Sequence, residues 1–213
     1  MAWQRIDTYL CPSDGGTNGK LDLGRANYRN PRADRTWGIN NYKGVAGSNW
    51  QWGNFRVQPT NAATAPWYST PYGATGNGLD RGNGIIWRNN NPANPGTTNM
   101  AAIEDGTANT FIIGEAIPQY CTHTWWWHSN GSTATTAVPL NLEAQCKNTG
   151  NKNSDLLDCR GDWPNNYSFM SRHPGGGNFG IADGSVRFVS ETVDLQAYRS
   201  FGSKMDGRSA TLD

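Results

Sequence analysis

Three histidines, four cysteines and a scatter of turn-flanking carboxylates are the side chains with which this 213-residue chain could do chemistry. His123 and His128 bracket Trp125-Trp126-Trp127 and suggest a metal pair. Their spacing argues against it: the two have opposite parity in a strand and stand about 140° apart on a helix. His173 with Asp183 invites a His/Asp catalytic pair. If Asn178 opens a hairpin whose turn holds Asp183, the two lie at opposite ends of it, about 17 Å apart at ~3.3 Å per residue. No Gly-x-Ser-x-Gly elbow supplies a nucleophile to complete a triad.

Gly175, Gly177 and Gly180 match the Gly-x-Gly-x-x-Gly spacing of dinucleotide sites. That motif needs a strand before it and a helix after it, whereas here His173-Pro174 enters and a hairpin leaves. Gly19-Lys20 lacks the earlier Gly and the following Ser/Thr of a phosphate-binding loop. Asp105, Glu115, Asp162 and Asp183 are oxygen donors near turns, which leaves calcium open as a ligand, although no EF-hand spacing is present. No other metal or cofactor is expected.

Cys11, Cys121, Cys146 and Cys159 include no Cys-x-x-Cys pair, so zinc ribbons and thioredoxin-like sites are excluded. An even number in a loop-rich chain reads as two disulfides, each contributing about 2–4 kcal/mol, in an oxidising compartment. The expected pairs are Cys146 with Cys159, which flank a polar loop, and Cys11 with Cys121. The competing reading is four buried thiols in a cytosolic protein. Trp125 and Trp127, on one face of a strand, suit either a core or, with Trp126, Trp50 and Trp52, an aromatic platform for sugar rings. The core is the preferred reading.

The elements that must position these groups are short. Trp3, Ile6 and Leu10 have near-helical spacing and lead into Cys11-Pro12-Ser13-Asp14-Gly15-Gly16, where Pro and Gly end the segment. Strand candidates follow at 38–45, 52–57 and 84–88. Trp37, Tyr42, Trp50, Trp52, Phe55, Trp67, Tyr68 and Trp87 are expected to anchor the loops between them. Ile103 to Thr107 reads as a turn before Thr110-Phe111-Ile112-Ile113-Gly114-Glu115, a strand apolar at both parities and therefore expected to be central and covered on both faces. Residues 121–127 are another strand candidate, and 128–165 a polar excursion around an apolar island at 138–143. Asp183-Gly184 between two apolar runs signals a hairpin. A two-residue type I′ turn would face Phe179 with Phe188 and Ile181 with Val186, burying all four. Leu195, Tyr198 and Phe201 then share one side of a short helix, with Thr192 as the expected N-cap and Gly202 as the stop.

Composition narrows the class. Gly contributes 26 residues and Asn 24, which works against a helical bundle. Ten Trp, eight Tyr and six Phe argue equally against disorder. Eighteen Lys+Arg against 17 Asp+Glu leave no basic footprint for nucleic acid. The apolar runs fall far short of the roughly 18 residues of a spanning helix, and no secretory signal is evident.

Three ordered blocks carry a family likeness. Arg172-His173-Pro174-Gly175 through Ala182-Asp183-Gly184-Ser185 resembles the His, nine residues, Asp-Gly signature of a large planctomycete family of unknown function whose members are similar to type IV pilins and type II secretion pseudopilins. Tyr9-Leu10-Cys11-Pro12-Ser13-Asp14 resembles its Cys-Pro-Ser-Asp block, and Asp105-Gly106-Thr107-Ala108-Asn109-Thr110 through Glu115 its Asp-Gly-Thr-x-Asn-Thr block. The likeness singles out His173, Asp183, Gly184, Asp105, Gly106, Asn109 and Glu115. Family members usually begin with a prepilin signal and a long apolar helix. This chain reaches the Cys-Pro-Ser-Asp block almost at once, so it is expected to be a head expressed without that helix or a soluble paralogue.

The resulting expectation is a single extracellular α+β domain over residues 1–213, a sheet-dominated pilin-like head of antiparallel strands with long loops and little helix. It would be a non-enzymatic surface or secretion-system subunit, placed at the cell surface or in the periplasm and partnered by other pilin-like subunits. Its membrane link would be only the missing helix. An extracellular carbohydrate-binding module using exposed Trp is the alternative.

Overall fold

The computed structural model describes residues 1–15, 19–21, 37–50, 79–80, 82–88, 98–118, 120–121, 123–142 and 166–212. In chain order its regular elements are β1 (Lys20–Leu21), β2 (Trp37–Gly38), β3 (Tyr42–Val45), β4 (Phe111–Glu115), α1 (Ser129–Ser132), β5 (Thr133–Ala134), β6 (Gly176–Ile181), β7 (Val186–Ser190) and α2 (Leu195–Gly202), with 3₁₀ turns at Asp7–Tyr9, Met100–Ala102 and Thr107–Asn109. Five strands form one sheet in the order β5-β3-β4-β6-β7, and β1 pairs with β2 separately. The architecture is sheet-dominated α+β. Its sheet is mixed rather than wholly antiparallel, because β5 runs parallel to β3 through Gly44 with Thr133 and Val45 with Ala134.

The inner face of this sheet carries the core. Phe111, Phe179, Ile181 and Val189 project toward α2, which returns Tyr198 and Phe201. The Phe111 ring lies 4.4 Å from that of Phe179 and 5.2 Å from that of Phe201. Phe169 closes the cluster edge-on against Phe179 at 5.2 Å. Gly114 makes the room: a Cβ there would fall 2.5 Å from both the Phe169 and Phe179 rings. α2 starts at Asp194, whose carboxylate accepts from the Gln196 and Ala197 N–H groups at 3.0 and 2.9 Å, so the N-cap is Asp194 and not Thr192. The expected apolar side of Leu195, Tyr198 and Phe201 does face the core.

The β6–β7 hairpin forms where Asp183-Gly184 predicts it, with a different turn. Gly184 N–H donates to Ile181 O at 2.9 Å and Ile181 N–H to Ser185 O at 2.8 Å, enclosing a three-residue loop. Gly184 has φ +91°, the left-handed position that follows a type I turn and forms a bulge. One extra loop residue slips the register by one: Phe179 faces Arg187, and Asn178 faces Phe188. A slip of one turns β7 over. Phe179 and Ile181 stay buried, but Val186 and Phe188 are 70% and 53% exposed, and Val189 takes the core position.

β4 is central in pairing, between β3 and β6. It is not covered on both faces, since Ile113 is 40% exposed. Residues 84–88 form bends beside β3, not a strand, with Ile86 N–H donating to Val45 O. Of the described residues in 121–127, Trp125 alone makes a bridge, to Ile39. The 52–57 strand candidate lies outside the described residues, as do Trp52, Phe55, Trp67 and Tyr68. Trp37 and Trp50 are buried, as anchors should be.

No disulfide joins Cys11 to Cys121. Cys11 sits in the loop after the first 3₁₀ turn, whereas Cys121 is buried against Lys43 on the inner side of the sheet, and each thiol has other neighbours. Cys146 and Cys159 lie outside the described residues.

Candidate functional site

The three sequence blocks meet at the two ends of the β4–β6 pair. At the hairpin-turn end the contacts are structural. Ala182 and Asp183 donate their N–H groups to Thr110 O and Thr107 O, docking the turn on the Asp105–Thr110 block. Asp105 accepts from the Asp206 and Gly207 N–H groups at 2.7 and 2.8 Å, pinning the C-terminal segment. Gly106 has φ +90°, and Asn109 Nδ2 donates to Asp105 O at 3.3 Å. Asp183 is fully exposed; hydrogen bonds from the Ser185 hydroxyl and N–H hold its carboxyl below the usual range. The Asp183 carboxylate is occupied within its own turn and that of Asp105 by the C-terminal segment, and Glu115 lies at the other end of the sheet. Asp105, Glu115 and Asp183 therefore form no common calcium set, and Asp162 lies outside the described residues.

The other end gathers chemistry. Cys11 Sγ lies 3.8 Å from Glu115 Oε1 and 4.0 Å from His173 Nε2, and that same nitrogen is 3.3 Å from Glu115 Oε1. Among the described residues this is the one group of His, Cys and carboxylate side chains that could hold a metal ion. Each member is held by its own segment. Glu115 ends β4 and is only 4% exposed; its Oε2 accepts the Asn178 N–H at 2.8 Å, so a backbone donor from β6 fixes the carboxylate. Cys11 N–H donates to Asn41 Oδ1 at 3.1 Å, and His173 N–H to Ser171 Oγ at 3.1 Å.

An ion pair between a buried carboxylate and an exposed guanidinium braces the same corner. Arg172 Nε donates to Asp14 Oδ1 at 2.8 Å, and Asn41 Nδ2 donates to Asp14 Oδ2 at 2.7 Å. Asn41 thereby ties the Cys-Pro-Ser-Asp block by both Cys11 and Asp14 to the start of β3. The Arg172 guanidinium also stands 5.3 Å over the Tyr120 ring. Burial works against the Arg172 charge, but the Asp14 contact outweighs it and raises its pKa. Tyr42, the cross-strand partner of Glu115, has its pKa pushed up to about 12 by burial and then by Cys11 and Glu115, so its phenol keeps its proton beside the cluster.

Cys121 belongs to a separate polar pocket. Lys43, fully buried, donates to Asn166 O at 2.8 Å and to Cys121 Sγ at 3.3 Å. Burial lowers its pKa. His123 is buried between the Trp125 and Tyr167 rings at 5.2 and 5.3 Å. His128 caps α1, its Nδ1 accepting the Asn130 N–H at 3.1 Å. The two imidazoles are thus held by different partners.

Two of the candidate platform residues belong to the core. Trp125 and Trp50 are buried, which removes them as stacking surfaces for a sugar. Trp127 is half-buried, stacked on Trp125 and 4.8 Å from Trp37. Trp126 is half-buried, its Nε1 donating to Gln4 O at 3.2 Å.

Residues 1–196 match the model of a family described as a protein of unknown function, DUF1559 (SBP_bac_10). The chain belongs to that family. Both ends of the sheet, with Cys11, Glu115 and His173 at one and Asp105 and Asp183 at the other, fall inside the matched stretch. No curated protein and no solved structure gives a match.

What the sequence missed is the convergence. Cys11 reads as a disulfide partner and His173 as half of a motif with Asp183, while Asn41, Tyr42 and the Asp14–Arg172 pair have no local signature. The available signal was that each of the three blocks holds one good ligand, namely Cys11, Glu115 and His173.

Proposed function

We propose that this member of the DUF1559 family is a non-enzymatic structural subunit, the head of a pilin-like or pseudopilin-like assembly outside the cytoplasm, which associates with other pilin-like subunits. The observation that carries the reading is an uncovered apolar strip on the outer face of the sheet. Gly44, Ile113, Gly180 and Val186 are successive cross-strand partners and so share that face, and Phe188 follows Val186 on it. Ile86 lies over Gly44. Ile86, Ile113, Val186 and Phe188 are 37%, 40%, 70% and 53% exposed. Single exposed apolar side chains are ordinary; a contiguous strip across four strands marks a surface that packs against another protein.

The non-enzymatic part is supported by the geometry at Cys11. A Cys–His–acid relay uses one imidazole nitrogen for the thiol and the other for the acid. Here His173 Nε2 faces both Cys11 and Glu115. The extracytoplasmic part rests on the family likeness, because free Cys11 and Cys121 remove one of the two bridges that argued for it. Among the described residues no helix is long and apolar enough to cross a membrane.

The test is to follow the protein in its native cells by immunogold labelling and by shearing surface material. Labelled surface assemblies that shear off are expected, and a Val186→Glu/Phe188→Glu variant that keeps its circular dichroism should no longer enter them. Wild-type label confined to the cytoplasm overturns the reading.

A further inference from the structure

We infer that Cys11, Glu115 and His173 form a zinc site with a fourth, solvent-open position. The case starts from the three separations. With zinc–ligand lengths of about 2.3 Å to sulfur and 2.0–2.1 Å to nitrogen and oxygen, a tetrahedral ion sets N···O near about 3.3 Å and each sulfur separation near about 3.5 Å. His173 Nε2 and Glu115 Oε1 already stand 3.3 Å apart. The Cys11 separations of 3.8 and 4.0 Å need to close by about half an ångström or less, which a small χ1 rotation supplies.

The donor set suits the ion. Thiolate, imidazole and carboxylate are all zinc ligands, and two anionic donors neutralise the dication. The supporting shell is already built. Asn178 N–H orients Glu115, Asn41 holds the Cys11 backbone, Ser171 holds that of His173, and the Asp14–Arg172 pair locks the two loops that carry the ligands. Such partners fix the ligands before the metal arrives. Glu115 supplies a second reason: it is 4% exposed, and its Oε1 points into the cluster, where His173 and Cys11 are the side chains beside it together with Asn178 Nδ2 at 3.4 Å. Arg172, the neighbouring cation, is engaged with Asp14. A dication bound there compensates a carboxylate that burial otherwise penalises. His173 is partly exposed, with 31% of its side chain accessible, which leaves a path for the ion and a place for a fourth ligand from solvent.

Binding releases the Cys11 thiol proton to solvent and forms Zn–S, Zn–N and Zn–O bonds; nothing is oxidised or reduced. The site joins the chain at three distant points, so the ion would clamp the N-terminal loop to the sheet.

The test uses the full chain, purified with reductant and stripped by a chelator. Zn²⁺ is titrated against a chromophoric chelator and Co²⁺ is followed by absorbance. The expected result is one ion per chain, with a sulfur-to-cobalt charge-transfer band and visible bands of a four-coordinate site. Cys11→Ser should abolish the charge-transfer band and Cys121→Ser should leave it. His173→Gln, at a partly exposed ligand, should weaken zinc by at least about 100-fold, more than loss of a supporting residue does. Glu115→Gln should weaken zinc likewise, and where that variant fails to fold the His173 and Cys11 variants decide. No stoichiometric binding, or a band that survives Cys11→Ser, overturns the site.

Discussion

Truncating Phe188 and Val189 separately tests the hairpin register. In the structure Phe188 is 53% exposed and Val189 fully buried. About half of a Phe side chain is therefore hidden, and since full burial is worth about 1.5–3 kcal/mol, Phe188→Ala should cost about 1 kcal/mol. Val189→Ala removes two buried methyl groups at about 0.8 kcal/mol each and leaves a small cavity, giving about 2 kcal/mol. A two-residue turn would reverse the order, because Phe188 would enter the core, where Phe→Ala costs about 3–5 kcal/mol, and Val189 would face solvent. Urea unfolding with unchanged m values reads both numbers. A Phe188→Ala cost clearly above that of Val189→Ala would refute the three-residue loop and the outer-face strip that depends on it.

Four further outcomes follow from the same packing. Gly184→Ala places a side chain at φ +91° with no atom within 4 Å of its Cβ, so the cost, about 1–2 kcal/mol by thermal unfolding, is backbone strain alone; a neutral result would contradict the bulge. Asp194→Ala removes two hydrogen bonds at the start of α2 and should cost about 1 kcal/mol in urea, whereas Thr192→Ala should cost clearly less. Burial lowers the Lys43 pKa below 10.5, so between that lowered value and 10.5 the unfolded chain holds a proton the folded chain has released. Stability should therefore rise with pH across that window, and urea midpoints of Lys43→Met should lack this part of the rise. Native alkylation with mass mapping should modify the half-buried Cys11 before the buried Cys121, and a Cys11–Cys121 cross-linked peptide would contradict the free thiols.

Local patterns in the sequence carried the elements whose partners are close in the chain. Asp183-Gly184 between apolar runs marks the hairpin, and Leu195, Tyr198 and Phe201 mark the face of α2, because both depend on spacing within a few residues. The turn type escaped because Asp-Gly serves both a two-residue loop and a type I turn with a glycine bulge; both need a positive φ at Gly184, and they differ at Asp183, whose φ turns positive only in the two-residue loop. The parallel pairing of β5 with β3 was illegible for another reason. Thr133 and Ala134 are two residues long, and nothing local says that they pair with Gly44 and Val45. Nothing local marks Lys43 as buried either, because Cys121 and Asn166 O, which close over it, are 78 and 123 residues away.

The site was legible in its parts and not in its assembly. Asp183 reads correctly as a turn residue because its carboxylate is spent within its own loop, whereas the bonds of Asp105 to the C-terminal segment have no local sign. Cys11 and His173 come together only because Asn41 and the Asp14–Arg172 pair fold two loops onto the end of β4, a coupling across 158 residues that no periodicity encodes. Glu115, buried at the same corner, takes its hydrogen bonds from Asn178 and Cys11, neither of which is near it in the sequence.

The most direct measurement is diffraction from crystals of the reduced full chain grown with zinc, with data collected on both sides of the zinc absorption edge. One anomalous peak is expected at about 2.0–2.3 Å from Cys11 Sγ, His173 Nε2 and a Glu115 oxygen, with the Asp14–Arg172 pair intact beside it. Separated Cys11, Glu115 and His173 side chains, or a zinc peak bound elsewhere with this corner empty, would contradict it.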